Sequence, residues 1–309
     1  MPSNVLYGLV VLIWGTTWYA IKFQLGVVAP EISLVYRFSI AAICLFIYAR
    51  VVGSPMRLSL CEHRFVALQG ATLFCLNYWL TYLSTEYLTS GLVAVIFTGI
   101  VFFNLINARL IFGIPIEGKV LVAAAAGMLG VALLFLPELR KATGDRSVVI
   151  GYLLALVATY VASLGNMAAM RNTGSGLPVV TVNAYGMAYG AGALALIALL
   201  RGAPLAFDPS WPYVVSLLYL SLAGTSLAFG LYLVLLKNIG PARAAYVSVL
   251  FPVVALLVST IFEGYQWSAP AYLGLAVLLA GNALALRAGR PLPQLKLEKR
   301  PADRRRNAP

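Results

Sequence analysis

Long apolar stretches separated by short polar connections make up most of the chain. A helix needs about 20 residues to cross a hydrocarbon core of about 30 Å, because each residue advances it by about 1.5 Å. Such helices are predicted at residues 5–24, 33–49, 65–85, 91–112, 119–136, 149–170, 179–200, 213–236, 243–262 and 270–287. These stretches are too long and continuous for the strands of a membrane barrel. The predicted fold class is an all-α integral membrane protein with ten transmembrane helices.

The composition supports this fold class. Apolar residues make up 61% of the 309 residues and charged residues only 10%, whereas soluble domains have about 45–50% and about 25%. A water-soluble fold of this size could not cover itself with so few polar side chains. The first residues lack the basic segment and cleavage site of a signal peptide, so we expect the first apolar stretch to be a retained helix.

The basic residues indicate the orientation, because cytoplasmic loops of membrane proteins are rich in Lys and Arg. With the N-terminus inside, most of the 22 lysines and arginines fall on the cytoplasmic side, many of them from Arg287 onward. We therefore expect a multi-pass protein of a bacterial inner membrane with both termini in the cytoplasm. The basic, proline-rich tail at 289–309 is predicted to be disordered. Because the positive charge belongs to the membrane topology, no nucleic-acid partner is expected.

The chain repeats itself at an offset of 151 residues. Residues 88–113 align with residues 239–264 without gaps, and the same offset places Gly130 on Gly281. A unit of five helices crosses the membrane an odd number of times, so a second copy enters it upside down. The sequence therefore predicts two inverted-topology five-helix repeats around a central cavity, the first at 1–146 and the second at 147–288. This architecture is typical of alternating-access transporters.

Polar and aromatic residues inside the predicted spans indicate where a solute binds, because polar side chains in membranes face protein or water. Helical spacing puts several of them on shared faces of the first, third and sixth spans. The predicted substrate-cavity residues are Trp14, Thr17, Trp18, Lys22, Asn77, Tyr78, Thr81, Tyr82, Ser163, Asn166 and Tyr246. Aromatic walls with scattered hydroxyl and amide groups suit a small amphipathic solute.

Several of these residues have alternative interpretations. Ser163 and Asn166 are also compatible with joining helices to one another, and Lys22 with reaching the membrane surface from its helix end. The charges of Arg37 and Glu263 are interpreted as structural charges at helix ends. The small residues Gly186 and Gly190 are interpreted as a site of close helix packing.

Three segments resemble the EamA branch of the drug/metabolite transporter superfamily, in that family's order and spacing. They are LIWGTTWYAIKF at 12–23, PEISLVYRFSIAA at 30–42, and residues 224–264 with Lys237, Pro252 and Glu263. Within the branch, the chain is most similar to aromatic amino-acid exporters of the YddG type. The resemblance implies ten helices around a central cavity, cytoplasmic termini, and efflux of aromatic or other neutral amino acids.

The sequence favours an exporter over other classes of membrane protein. No Asp or Glu lies near the middle of a predicted span, so we expect facilitated transport by alternating access rather than proton coupling. Export of other metabolites or of cationic drugs is the alternative within this class. A membrane enzyme is disfavoured, because His63 is the only histidine and no catalytic cluster accompanies it. The expected partners are a small-molecule solute and the lipid bilayer, and no cofactor, metal or obligate protein partner is indicated.

Overall fold

The computed structural model is helical throughout the part of the chain that it describes, residues 2–116, 118–141, 146–240, 244 and 246–288. The helices are α1 Ser3–Gln24, α2 Pro30–Val51, α3 at 60–87, α4 Ser90–Phe112, α5 Gly118–Lys141, α6 Arg146–Gly174, α7 Val179–Leu200, α8 at 211–239, α9 Val247–Phe262 and α10 Ala269–Ala288. The predicted tail at 289–309 lies outside the described residues.

Six of these helices are long and apolar enough to cross a membrane: α1, α2, α4, α6, α7 and the Trp211–Tyr232 part of α8. The apolar parts of α5, α9 and α10 are shorter. The outer surface is also apolar, since the side chains of Leu110, Leu200 and Ile261 are each more than 70% exposed. A surface of this kind suits lipid, so the chain is an all-α membrane protein. The ten membrane crossings stay a prediction.

The predicted spans coincide with these helices, and the differences lie at the helix ends. Helix α3 begins at Leu60, ahead of the predicted start at 65, because Ser59 and Glu62 form a capping box. The Ser59 hydroxyl accepts a 3.3 Å bond from the Glu62 amide, and the Glu62 carboxylate accepts a 2.5 Å bond from the Ser59 amide. His63, predicted in a loop, is therefore helical, with Nδ1 lying 2.8 Å from the Tyr189 hydroxyl of α7.

Three helices change their winding inside the bundle. Helix α1 tightens into a 3-10 helix at Ile21–Gln24. Helices α3 and α8 widen into π-helix at Gly70–Leu76 and Tyr219–Leu227. The wide turn of α8 is bridged by the Thr225 hydroxyl, which donates a 2.8 Å bond to the Leu220 carbonyl. Such π-helical stretches are uncommon, and they occur frequently at functional sites.

Helix α7 packs closely on the π-helical stretch of α3. A Cβ atom added to Gly190 would lie 2.7 Å from the Phe74 Cβ, and one added to Gly186 would lie 3.1 Å from the Phe74 ring. On the facing side, a Cβ on Gly70 would lie 2.5 Å from the Gly186 carbonyl oxygen. The interpretation of Gly186 and Gly190 as a site of close helix packing is confirmed.

Helices α5 and α10 pack on each other through glycines that bring their backbones together. A Cβ added to Gly130 of α5 would lie 2.5 Å from the Leu278 amide nitrogen of α10. A Cβ added to Gly281 of α10 would lie 2.5 Å from the Gly127 amide nitrogen of α5. Side chains larger than hydrogen do not fit at these two positions without separating the helices.

Candidate functional site

A cavity of about 410 Å³ lies among helices α1–α4 and α6–α9, and none of its described lining residues belongs to α5 or α10. The lining residues are aromatic (Trp14, Trp18, Phe74, Tyr78, Phe97, Phe229, Phe251), polar (Thr17, Arg37, Gln69, Asn77, Thr81, Asn166, Asn183), and aliphatic or small (Ile21, Leu73, Ile100, Ala169, Val179, Gly224). Among the lining residues that the structure describes, Arg37 is the one that carries a charge.

The structure brings most of the predicted site residues to this cavity. Those that line it are Trp14, Thr17, Trp18, Asn77, Tyr78, Thr81 and Asn166. The predicted residues that lie outside its lining are Lys22, Tyr82, Ser163 and Tyr246. That the first group binds a solute stays a prediction.

Helix α1 supplies one aromatic wall. The Trp14 indole nitrogen donates a 3.3 Å hydrogen bond to the carbonyl of Gly224, within the π-helical stretch of α8. The Trp18 ring lies between Phe97 of α4 and Phe251 of α9, with ring centroids 5.4 and 6.2 Å away. These contacts hold both indole rings in fixed positions between α1 and three other helices.

Helix α3 supplies three of the seven polar lining residues, Gln69, Asn77 and Thr81. The Gln69 amide nitrogen donates a 3.2 Å bond to the Asn183 side-chain oxygen of α7, and the Asn172 amide donates a 3.0 Å bond to the Gln69 oxygen. The Asn77 amide nitrogen donates to the Leu73 carbonyl at 3.2 Å. Its side-chain oxygen is buried and has no hydrogen-bond partner within the described part of the chain. Gln69 and Asn183 were not predicted from the sequence.

Arg37 of α2 is buried, and its side chain lines the cavity. The residue is only 3% exposed, and it lies about 10 Å along the helix axis from Pro30. Its Nη1 donates a 3.3 Å hydrogen bond to the Tyr82 hydroxyl, and its guanidinium carbon lies 4.7 Å from the centre of the Tyr78 ring. Arg37 therefore lies inside α2 on the cavity wall, and its predicted position at a helix end is corrected.

Lys22 lies outside the cavity lining, at one end of the bundle. Its Nζ donates hydrogen bonds to the carbonyls of Thr85 and Leu88 at 2.8 and 3.0 Å. The same nitrogen lies 3.5 Å from the carboxylate of Glu263, at the end of α9. Lys22 was predicted to share the face of Trp18 and to line the cavity; it lies outside the lining, in the 3-10 helix Ile21–Gln24 at the end of α1.

Glu263 is the centre of this cluster rather than an exposed charge at a helix end. Its side chain is only 9% exposed. It accepts hydrogen bonds from the Ser90 amide at 3.1 Å, from the Ser90 hydroxyl at 2.5 Å, and from the Ser259 hydroxyl. We call Lys22, Ser90, Ser259 and Glu263 the end cluster. It joins α1, α4 and α9, and Lys22 also bonds the end of α3.

The other predicted residues outside the lining join helices to one another. The Ser163 hydroxyl of α6 accepts a 2.9 Å bond from the Asn107 amide of α4. The Tyr246 hydroxyl donates a 3.5 Å bond to the Ala283 carbonyl of α10. Tyr82 is fully buried, and its hydroxyl positions Arg37. In the described ranges, no three His, Cys, Asp or Glu side chains are arranged to hold a metal ion.

Comparison with known proteins identifies relatives along nearly the whole chain. The EamA-like transporter family matches residues 2–136 and 149–287. "Uncharacterized inner membrane transporter YedA" of Escherichia coli K12 is 28% identical over 273 residues, 87% of this chain and 85% of that one. "Probable amino-acid metabolite efflux pump" of the same organism is 23% identical, over 92% and 96% of the two chains. A crystal structure at 16% identity has the same fold, with a TM-score of 0.64 over 92% of this chain and 96% of that one.

Proposed function

This chain belongs to the EamA-like transporter family, and we propose that it exports small amphipathic metabolites, chiefly aromatic and other neutral amino acids, across a bacterial inner membrane. The observation that carries the proposal is the cavity. Its volume of about 410 Å³ falls in the range of about 300–1,000 Å³ that small-molecule sites occupy. Aromatic rings on its walls suit an apolar side chain, and its amide and hydroxyl groups suit the polar end of an amino acid.

The relatives support the transport class and one kind of solute. One curated relative is named an inner membrane transporter, and another is named an amino-acid metabolite efflux pump. The YddG-type specificity for aromatic amino acids goes further than these names, and it rests on the aromatic walls of the cavity. The family match favours transport over the alternative of a membrane enzyme.

We propose that the chain crosses the membrane ten times as two inverted five-helix repeats. A shift of 151 residues carries Gly127 onto Leu278 and Gly130 onto Gly281. The contact of Gly130 with Leu278 and that of Gly281 with Gly127 are therefore exchanged by the shift, as contacts across a two-fold axis are. The same shift carries the π-helical stretch Gly70–Leu76 into the π-helical stretch of α8. Both agreements support a duplicated unit.

Two such halves provide a physical basis for alternating access. Halves of the same fold can exchange shapes around a shared cavity, which then opens to one side of the membrane at a time. The end cluster ties four helices together where their ends meet, and we infer that these bonds hold one end of the cavity closed. Release of these bonds would allow the end to open.

We expect the transport to be driven by the solute gradient. None of the described cavity-lining residues is an Asp or Glu, the side chains that most often relay protons in membrane carriers. Purified protein in liposomes should equilibrate radiolabelled phenylalanine without accumulating it when a pH gradient is imposed. Accumulation above equilibrium that a protonophore abolishes would show proton coupling instead.

The proposed solute class is tested by competition. Uptake of radiolabelled phenylalanine into liposomes that hold the purified protein should be inhibited by tryptophan, tyrosine and leucine. Glucose and a cationic dye such as ethidium should not inhibit it. Inhibition by ethidium without inhibition by amino acids would favour the cationic-drug alternative, and liposomes without protein provide the baseline.

A further inference from the structure

We propose that Arg37 binds the carboxylate of the solute, and that the cavity therefore selects amphipathic carboxylates over amphipathic cations. This inference rests on the proposed export function and gives it a chemical requirement. It starts from the one charged side chain on the described cavity walls. Within the residues that the structure describes, that charge has no counter-ion.

Burial of the Arg37 guanidinium carries a free-energy cost. An arginine keeps its proton in proteins, so it cannot become neutral as a buried lysine does. Moving a charge out of water costs several kcal/mol, and this cost persists unless the charge is paired. Arg37 is nevertheless only 3% exposed, inside a helix that is long and apolar enough to cross a membrane.

Two other cations of the described chain have carboxylate partners. Lys22 lies 3.5 Å from the Glu263 carboxylate, and Arg201 lies 3.4 Å from that of Glu31. Arg37 forms no ion pair with any acid in the described ranges, and its Nε has no hydrogen-bond partner there. Because Glu31 and Glu263 already pair with other bases, a solute carboxylate is the counter-ion that this arrangement favours for Arg37.

The contacts of Arg37 hold the guanidinium in place and leave most of its donors unused. A guanidinium has five N–H donors, and the described chain supplies an acceptor for one, the Tyr82 hydroxyl at 3.3 Å. The ring of Tyr78 lies against the guanidinium at 4.7 Å, and that of Phe38 at 5.5 Å. A positioned planar guanidinium is suited to bind a carboxylate through two parallel hydrogen bonds.

The cavity offers much less to an ammonium group. Its described lining contains no carboxylate, so an amine finds only neutral acceptors, such as the unpartnered side-chain oxygen of Asn77. The positive charge of Arg37 also repels a solute cation. Removing the amine from an amino acid should therefore impair transport much less than removing its carboxylate.

Three probes with the same phenyl ring test this requirement on the full-length protein in liposomes. They are phenylalanine, 3-phenylpropanoate, which lacks the amine, and phenethylamine, which lacks the carboxylate. We expect protein-dependent flux of the first two and at least tenfold slower flux of phenethylamine. Flux of phenethylamine as fast as that of phenylalanine would overturn the proposal. Liposomes without protein correct for passive diffusion.

Variants of Arg37 then assign the effect to this residue. Arg37→Gln removes the charge and should reduce flux of both carboxylates at least tenfold, while phenethylamine flux stays the same or rises. Arg37→Lys keeps the charge without the planar fork and should be intermediate. Arg57→Gln is the matched control, because Arg57 is exposed and lies outside the cavity. Carboxylate flux in Arg37→Gln equal to that of the control would overturn the assignment, as would an equal loss for all three probes.

If Arg37→Gln does not fold, the wild-type measurements decide the carboxylate requirement, and Arg37→Lys measured against Arg57→Gln decides the role of this residue. The wild-type measurements also separate this inference from the proposed preference for aromatic solutes, when leucine, 4-methylpentanoate and 3-methylbutylamine are added as a matched aliphatic series. Flux of the aliphatic carboxylates alone would support the carboxylate requirement and refute the aromatic preference. Flux of amines alone would refute the carboxylate requirement, and no protein-dependent flux of any probe would refute both.

Discussion

Arg37 and Lys22 are cations of neighbouring helices, and the fold gives them different surroundings. Lys22 lies in a closed set of bonds with two carbonyls and the Glu263 carboxylate. Arg37 lies beside an aromatic ring and a neutral hydroxyl, with its charge unmatched. The sequence suggested the opposite assignment, with Lys22 in the cavity and Arg37 structural. Pairing depends on which distant residues reach each cation, and helical spacing within one segment does not contain that information.

Helical spacing predicted cavity-lining residues correctly in the regular α-helical part of α1. Trp14, Thr17 and Trp18 lie in the α-helical part of α1, and they line the cavity as their shared face predicted. Gln69 was missed although it continues the spacing of four residues that leads through Leu73 to Asn77, which was predicted to line the cavity. The structure places Gln69 on the cavity wall, while Gly70 faces α7. The change of winding that follows Gln69 has no simple signal in the sequence.

At the residue scale, Trp18 provides a direct test of the aromatic wall. Trp18→Ala removes a ring that lies between Phe97 and Phe251, and we expect phenylalanine flux to fall about tenfold, equivalent to about 1.4 kcal/mol of lost interaction. Trp211→Ala is the control, because Trp211 is 78% exposed at the start of α8. The readout is initial uptake per milligram of reconstituted protein. Equal flux in the two variants would remove Trp18 from the site.

At the scale of elements, helix positions followed closely from the apolar pattern, and the contacts between helices did not. Span length is set by bilayer thickness, so it is a local property of the sequence. The start of α3 was missed by a few residues because capping by Ser59 and Glu62 extends the helix into polar sequence. The π-helical stretches could not be predicted from the sequence. The stretch in α3, for example, packs against Gly186 and Gly190 of another helix.

Substitutions of two glycines in α7 test how closely this helix packs against α3. Gly190→Ala places a methyl group 2.7 Å from the Phe74 Cβ, whereas Gly192→Ala places one where no atom lies within 4 Å. Overpacking costs about 1–3 kcal/mol, so we expect Gly190→Ala to lower the unfolding temperature in detergent by several degrees. Gly192→Ala should leave it unchanged or raise it slightly, because alanine favours helix more than glycine does. Identical melting curves for the two variants would refute the close contact.

At the scale of the whole molecule, the end cluster should control how often its end of the bundle opens. Glu263→Gln removes the charge that pairs with Lys22 and weakens the bonds to Ser90, so the four joined helices separate more readily. Spin labels at Val27→Cys and Phe262→Cys, both exposed positions, report that separation. The three native cysteines are replaced first.

We expect a single short distance between these labels when Glu263 is present, and an added longer population in Glu263→Gln. Ser268→Ala serves as a comparison, since it removes a hydroxyl at the start of α10 that accepts a bond from the Ala271 amide and is not part of the end cluster. Distance distributions that are the same with and without the Glu263 charge would mean that the cluster does not hold this end closed.

The proposed ten crossings make a topological prediction. An even number of crossings returns the chain to the side from which it started, so tags fused before residue 2 and after residue 309 should be protected together in intact cells. The distribution of basic residues predicts that this side is the cytoplasm. Labelling of one tag but not the other by a membrane-impermeant reagent would contradict both the crossing number and the inverted repeat.

The charge of Arg37, which has no counter-ion in the described part of the chain, also leads to an expectation about voltage. Phenylalanine is a zwitterion at neutral pH, so the cavity would carry one positive charge whether it is empty or loaded, and the membrane potential would not shift the equilibrium distribution of this solute. An amine-free carboxylate would neutralise the loaded cavity and leave the empty one charged. Moving one elementary charge through 100 mV is worth about 2.3 kcal/mol. We therefore expect a potential that is negative inside to speed the export of 3-phenylpropanoate, while phenylalanine reaches the same equilibrium with and without it.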